Sequence, residues 1–476
     1  MYRINLNFLY FSALIFITIL FRLYNINYED FWIDEIISFY VSDPSISFNE
    51  FVQRHKTLEN SPFLFNFFLR IYFDIFGYDT SIARYLPATF NIFSVFLLVY
   101  FYKEIFKGRS VIFLFILLAF NIYIIKYSQE LRLYSWYLLI FVINIFYFYK
   151  TVNYKKFETK INKYFFFISS IFLILTHPFS LIIVFCYSLF FIYLFFKEEK
   201  IPFDLILMLG LINIFSIVFI ISFISHTTHQ PIWIENIDLK FFTNFFFSKF
   251  FGSRIIGGIY LIVIFFLIYK FLKDILYEKN LEFFLLLVAF FSYLIPIIYS
   301  YIFNPAVVDR YLIYLVLLFI LLLTILIDKI QTPNRRVLLS IFLIFCTIGN
   351  FSTETTFKQF LNENRIHKPD LKSTLFKIKN SNNFEVTLNL ENTYLSKNEI
   401  SNAFQNYIRK YKKITNLQIN YFNYKNKTIY EKKFWIICLN DLNGNDCSIP
   451  KKFSNHKVIE EESFNNINVK LIENSS

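Results

Sequence analysis

Over the first 350 residues, apolar side chains arrive in nearly uninterrupted runs of about twenty, separated by short charged segments. The stretches 8–20, 201–224, 255–272 and 311–327 are the plainest. A helix of that length covers a hydrocarbon core of roughly 30 Å. Inside such a core the backbone must satisfy its own N–H and C=O groups, which a helix does within one segment. Composition agrees: 17% of residues are charged and 56% hydrophobic, whereas soluble domains average about 25% charged. The expected fold is mainly α, a polytopic membrane helical bundle of about eleven spans. Those spans fall near 8–24, 81–102, 110–125, 133–149, 164–176, 179–196, 203–225, 255–272, 282–301, 311–327 and 337–351. With 68 Phe and 34 Tyr in the chain, a single aromatic residue carries little weight.

Charge sets the expected orientation. One set of connections is basic: Lys103, Lys107 and Arg109; Lys150, Lys155, Lys156, Lys160 and Lys163; Lys197 and Lys200; Lys270, Lys273 and Lys279; Lys329, Arg335 and Arg336. The alternate set is acidic or mixed, led by Glu29, Asp30, Asp34, Glu35, Asp43, Glu50 and Glu59. Basic loops face the cytoplasm, so the N-terminus is expected inside and the C-terminal tail outside a cell (plasma or inner) membrane. The first run lacks a small-residue cleavage site before Tyr24 and is expected to remain as a span. The net charge of +12 is accounted for by cytoplasmic loops and a Lys-rich tail, and calls for no nucleic acid.

Near residue 350 the composition turns to Asn, Lys, Glu and Ser. This divides the chain into a membrane module, 1–350, and a small extracytoplasmic α/β domain, 351–476. Within the tail, 384–390, 414–422, 433–439 and 467–472 have strand character, and 397–412 has helical spacing. Cys438 and Cys447 can pair if the tail lies outside the cytoplasm; Cys186 and Cys346, in apolar runs, read as packing residues.

Polar residues with chemistry cluster at the external face. The first external loop, about 25–80, is long for a helix connection and holds the adjacent carboxylates Asp34 and Glu35. Read alone, that pair is better taken as a solvated acidic pair on an interfacial helix. Tyr127-Ser128-Gln129-Glu130-Leu131-Arg132-Leu133-Tyr134 puts an acid and a base at membrane depth, where a charge costs about 2.5–3.5 kcal/mol on insertion scales. Thr176-His177-Pro178, Asp309-Arg310-Tyr311, Arg84 and Arg254 also sit at external helix ends. Arginines there run against the positive-inside trend; a phosphate is a natural partner, and simple snorkelling is the plainer alternative.

The order of Asp34-Glu35, Asn60-Ser61-Pro62-Phe63-Leu64, Leu69-Arg70-Ile71-Tyr72, Phe76-Gly77, Ala83-Arg84-Tyr85-Leu86-Pro87 and the 127–134 motif resembles the glycosyltransferase 39 type of membrane enzyme. That group, which includes protein O-mannosyltransferases and the aminoarabinose transferase of lipid A, belongs to the GT-C fold. The likeness covers about residues 1–330. Many relatives carry a His before a proline pair where this chain has Asn60-Ser61-Pro62, with His55 further upstream. The resemblance implies a hexosyl- or pentosyl-type glycosyltransferase moving a sugar from a polyprenyl-phosphate donor to an envelope acceptor hydroxyl, with inversion. It implies Asp34 as general base and Glu35 positioning substrate or a cation. Arg132, Arg310, His177 and Arg84 would meet the lipid phosphate, with Glu130 orienting Arg132 or the sugar. A divalent cation is compatible with this chemistry, and no ligand set is assigned. The alternative is a polytopic transporter or flippase, which would hold its polar residues near mid-membrane in interrupted helices.

Overall fold

The computed structural model describes residues 6–106, 109–152, 160–197, 201–226, 234, 236–277, 281–349, 368–380, 385–390, 396–412, 418–421, 433–439, 447 and 456–474. The chain is mostly helical, with one small sheet. It divides into two compact units, Met1–Tyr24 with Ser61–Phe65 and Pro87–Leu361, and Asn25–Asn60 with Asn66–Leu86 and Asn362–Ser476.

The first unit is a helical bundle, and each of the eleven expected runs carries a helix. Four helices are long and apolar enough to cross a membrane: Thr80–Phe106, Tyr134–Val152, Phe203–Ser222 and Leu281–Ile302. Others, such as Ser180–Phe196 and Tyr314–Asp328, are apolar but shorter; at 1.5 Å per residue, seventeen residues reach only about 25 Å. Burial separates the helices into two kinds. Every residue from Leu312 to Ile327 is buried, as expected of a helix apolar on all sides at the centre of a bundle. Phe203–His226 instead exposes Leu207, Leu211, Ile214, Ile217 and Ile221, a continuous apolar face of a kind that water-soluble monomers avoid. The expected span 110–125 departs from a straight rod: Val111–Phe120 and Ile122–Ser128 meet at Asn121 with a bend of 55°. Asn121 accepts from Ile124 N (3.0 Å) and donates to Phe250 O (2.9 Å). Arg22 fills the other side of the break, donating to Leu118 O, Ala119 O and Asn91 Oδ1. Carbonyls released by a broken helix need such donors at membrane depth.

The second unit is built on a five-stranded sheet, order β2-β1-β3-β5-β4. The strands are β1 (Glu385–Leu388), β2 (Gln418–Tyr421), β3 (Lys433–Leu439), β4 (His456–Phe464) and β5 (Ile467–Asn474). β1 runs parallel to β2 and β3, and β5 is antiparallel to β3 and β4. Helix Lys397–Lys412 makes the crossover that a parallel β1–β2 pair requires. Phe434, Ile436, Cys438, Cys447 and Ile472 form one core cluster, and Cys438 is disulfide-bonded to Cys447. Among the described residues, helix Leu371–Asn380 and strand β4 of the tail escape the sequence reading, as do helices Phe48–Leu58 and Leu64–Phe76 of the acidic loop. The charged run Glu460-Glu461-Glu462 hides β4, yet Asn465-Asn466 before Ile467 is a two-residue hairpin turn, with Asn466 at φ 53°.

The unit boundary also differs from the division 1–350/351–476. Segments 25–60 and 66–86 belong with the C-terminal residues because their aromatic side chains pack there. Phe31 stacks on Tyr407 at 5.2 Å, Tyr40 Oη donates to Glu399 (3.2 Å), and Tyr78 Oη donates to Asn406 (3.0 Å).

Candidate functional site

The acidic loop folds around helix Ile33–Val41, whose first turn holds both carboxylates. The two behave differently. Asp34 is partly exposed. Glu35 is fully buried and accepts from Arg84 Nε (2.8 Å), Arg84 Nη2 (2.9 Å), Lys368 Nζ (2.8 Å) and the Trp32 backbone N–H (3.3 Å). Burial would raise its pKa; the charge of Arg84, then of Lys368, with their hydrogen bonds, outweighs this and holds the carboxyl at about 2. Arg84 is 1% exposed and also donates to Ile26 O, Glu29 O and Asp30 O. A guanidinium has five N–H donors, and protein oxygens take all of Arg84's. The sequence reading is corrected on Arg84, which has no donor left for a lipid phosphate, while the Glu35 oxygens accept from Arg84, Lys368 and the Trp32 N–H. Burial was the missing information, since charge pattern alone cannot tell an inward-turned arginine from an outward one.

Other groups gather near Asp34 within the same unit. Ser38, one helical turn on, donates to Glu59 Oε1 at 2.9 Å, which brings a further buried carboxylate to the Asp34 face of the helix. Sequence reading named Glu59 only as a loop charge; its position one residue before Asn60-Ser61-Pro62 was the available signal. His55 is buried, ends helix Phe48–Leu58 and stacks loosely on Phe51 at 6.3 Å. Among the described residues, no group of three or more His, Cys, Asp or Glu side chains is arranged to hold a metal ion.

In the first unit, three of the expected residues converge. His177 stands in the turn between helices Lys160–Ile174 and Ser180–Phe196, stacked on Tyr137 at 5.2 Å and against Tyr311 at 5.0 Å. Burial, then the positive charges of Arg132 and Arg310, lower its pKa to about 3, so it is neutral at pH 7. Its Nδ1 accepts from the Phe179 backbone N–H (3.1 Å), which assigns the ring proton to Nε2. Glu130 is buried, and its carbonyl accepts from Arg132 N at 2.7 Å. Trp136 Nε1, in the first turn of helix Tyr134–Val152, donates to Thr176 Oγ1 (3.0 Å) beside His177. Asp309 pairs with Lys249 at 3.4 Å, in addition to lying beside Arg310. Arg254 starts helix Arg254–Lys270 behind the Ser253 cap. Two arginines and a neutral imidazole N–H donor thus share one electrostatic neighbourhood, suited to an oxyanion.

No family model matches this sequence, and no curated protein matches it.

Proposed function

We propose that the chain is a membrane glycosyltransferase that moves a sugar from a polyprenyl-phosphate donor to an acceptor hydroxyl at the external membrane face. The observation that carries this reading is the neutral His177 held beside Arg132 and Arg310. Two guanidinium charges and a neutral N–H donor at a helix-end turn suit a phosphate leaving group, whose charge grows as the sugar departs. Asp34 takes the acceptor's proton as general base, and direct displacement inverts the anomeric centre. The reading takes eleven spans with the N-terminus inside and the C-terminal residues outside, the orientation that the basic connections support. The Cys438–Cys447 disulfide supports the external assignment, because such bonds persist in oxidising compartments.

The test is binding of the carrier itself. Purified protein titrated with a polyprenyl phosphate should bind it, and Arg132→Ala and Arg310→Ala should each weaken binding. Equal binding by wild type and both variants would remove the phosphate role. One observation favours a second reading, a transporter: the helix broken at Asn121 has the interrupted form common in such proteins. Against it, protein groups occupy that break, with Arg22 on the carbonyls of Leu118 and Ala119.

A further inference from the structure

The helix bearing Asp34 has nine residues, too few to be stable in isolation. Its first turn is held by residues from the far end of the chain. Lys368 Nζ donates to Glu35 Oε2 (2.8 Å), 333 residues away in sequence. Asp30 Oδ2 accepts from the Lys372 backbone N–H (2.6 Å), across 342 residues, at the start of helix Leu371–Asn380. The Phe31 N–H donates to Tyr407 Oη (3.1 Å), across 376 residues, under the stacked rings. Lys368 is itself fixed: its carbonyl accepts from Asn465 Nδ2 (2.7 Å), and the Asp370 N–H donates to Asn465 O (3.0 Å). Asn465 lies in the β4–β5 turn, so one line of contacts runs from the hairpin through Lys368 and Glu35 to the residue beside Asp34.

The Lys368 side chain is 9% exposed, and its ammonium shares the Glu35 carboxylate with Arg84. Its desolvation is offset by that ion pair, which holds only while the first turn of the helix keeps its place.

We propose that Lys368 is a positioning residue for Asp34, and that the C-terminal part of the chain thereby completes the acceptor-activating site; this rests on Asp34 acting as the base. The ammonium pins the first turn of helix Ile33–Val41, and the Asp34 carboxylate follows that turn.

Two measurements on the full-length protein in detergent test this. Amide hydrogen exchange is followed across Ile33–Val41, with β3 as an internal check that the sheet is intact. Sugar transfer is followed with a panel of polyprenyl-phosphate hexoses and pentoses and a membrane extract as acceptor. Lys368→Ala should speed exchange in the helix by about tenfold with β3 unchanged. It should lower turnover by roughly a hundredfold, the scale expected for a reacting group misplaced by an ångström, while the apparent donor constant stays the same. Lys368→Arg should restore most of both. If Lys368→Ala also exposes β3, Lys368→Gln, which keeps a polar side chain one atom shorter and without the charge, is read in its place by the same criteria. Unchanged helix exchange, or unchanged turnover in an active enzyme, overturns the proposal. A wild-type protein inactive with every donor would instead sink the transferase reading, and the exchange result would still decide the clamp.

Discussion

The Arg84 guanidinium grips the Glu35 carboxylate side-on, Nε to Oε1 at 2.8 Å and Nη2 to Oε2 at 2.9 Å, with both side chains buried. The neighbouring acid, Asp34, remains partly exposed. Adjacent carboxylates in one helical turn therefore have different surroundings, one enclosed by two cations and the other partly exposed.

The first prediction follows from the buried pair. Removing one member strands a charge, which costs about 3–5 kcal/mol, whereas replacing both with apolar groups of similar size costs far less. Arg84→Met should strongly destabilise the protein, since it leaves Glu35 to Lys368 alone and takes the donor from three carbonyls. Adding Glu35→Leu should recover little unless Lys368→Met is added as well, because Lys368 would otherwise be the stranded charge. The pair also has a pH signature. Glu35 sits at about 2 in the folded chain, below roughly 4.3 when unfolded. Its contribution is complete above the unfolded value and drains away as pH falls toward 2. Thermal unfolding in detergent should lose this slope in Glu35→Gln.

His177 adds a separate window. Its folded pKa of about 3 lies below the roughly 6.5 of a free imidazole. The folded state therefore resists protonation, and stability falls as pH drops from about 6.5, before Glu35 titrates. His177→Asn keeps an acceptor for the Phe179 N–H and cannot be protonated, so its stability should be flatter between pH 6.5 and 4.5. A bound polyprenyl phosphate should also flatten the wild-type slope, because its charge opposes those of Arg132 and Arg310. An identical slope in His177→Asn would contradict the assignment.

Much of this was legible in sequence, and the failures have a common cause. The helices were readable because twenty apolar residues in a row admit few alternatives, and helix Lys397–Lys412 and strand β3 because their patterning is local. The break at Asn121 was not, since one polar residue in an apolar run looks like tolerated noise. Arg22, equally against the positive-inside trend, was passed over at the end of the first run. Lys368 could not be found at all: its partner lies 333 residues away, and nothing near it signals the pairing. Arg132 was singled out by membrane depth, and His177 and Arg310 by their places at helix ends; only the fold brings the two charges to bear on the imidazole.

Topology provides another prediction. A reporter active only in the cytoplasm, fused after Lys156 or Arg336, should be active, and one fused after Ser352 should be silent. Activity after Ser352 would move the C-terminal residues to the other side and rule out their clamping Asp34 at an external site.

Arg132 and Arg310 should act on the donor. A hydrogen bond to a charged group is worth about 1.5–3 kcal/mol, so each alanine variant should raise the apparent donor constant by roughly ten- to hundredfold when chemistry is slower than donor release. Lysine should rescue in part, restoring charge without the two-pronged grip. If the arginines only brace helix ends, alanine variants will be less stable while surviving molecules keep normal donor kinetics.

The most direct test of the central claim is mass spectrometry of envelope lipids, glycans and proteins from cells carrying the wild-type gene, no gene, or Asp34→Asn. Asn keeps the shape of Asp and its acceptor oxygen but loses the basic carboxylate, and loss of a general base typically costs 10²–10⁴-fold. The account predicts that one envelope component loses a sugar and a polyprenyl-phosphate sugar accumulates, identically in the deletion and in Asp34→Asn, with the variant protein present in the membrane at normal levels. An envelope unchanged by deletion, or fully restored by Asp34→Asn, would contradict it.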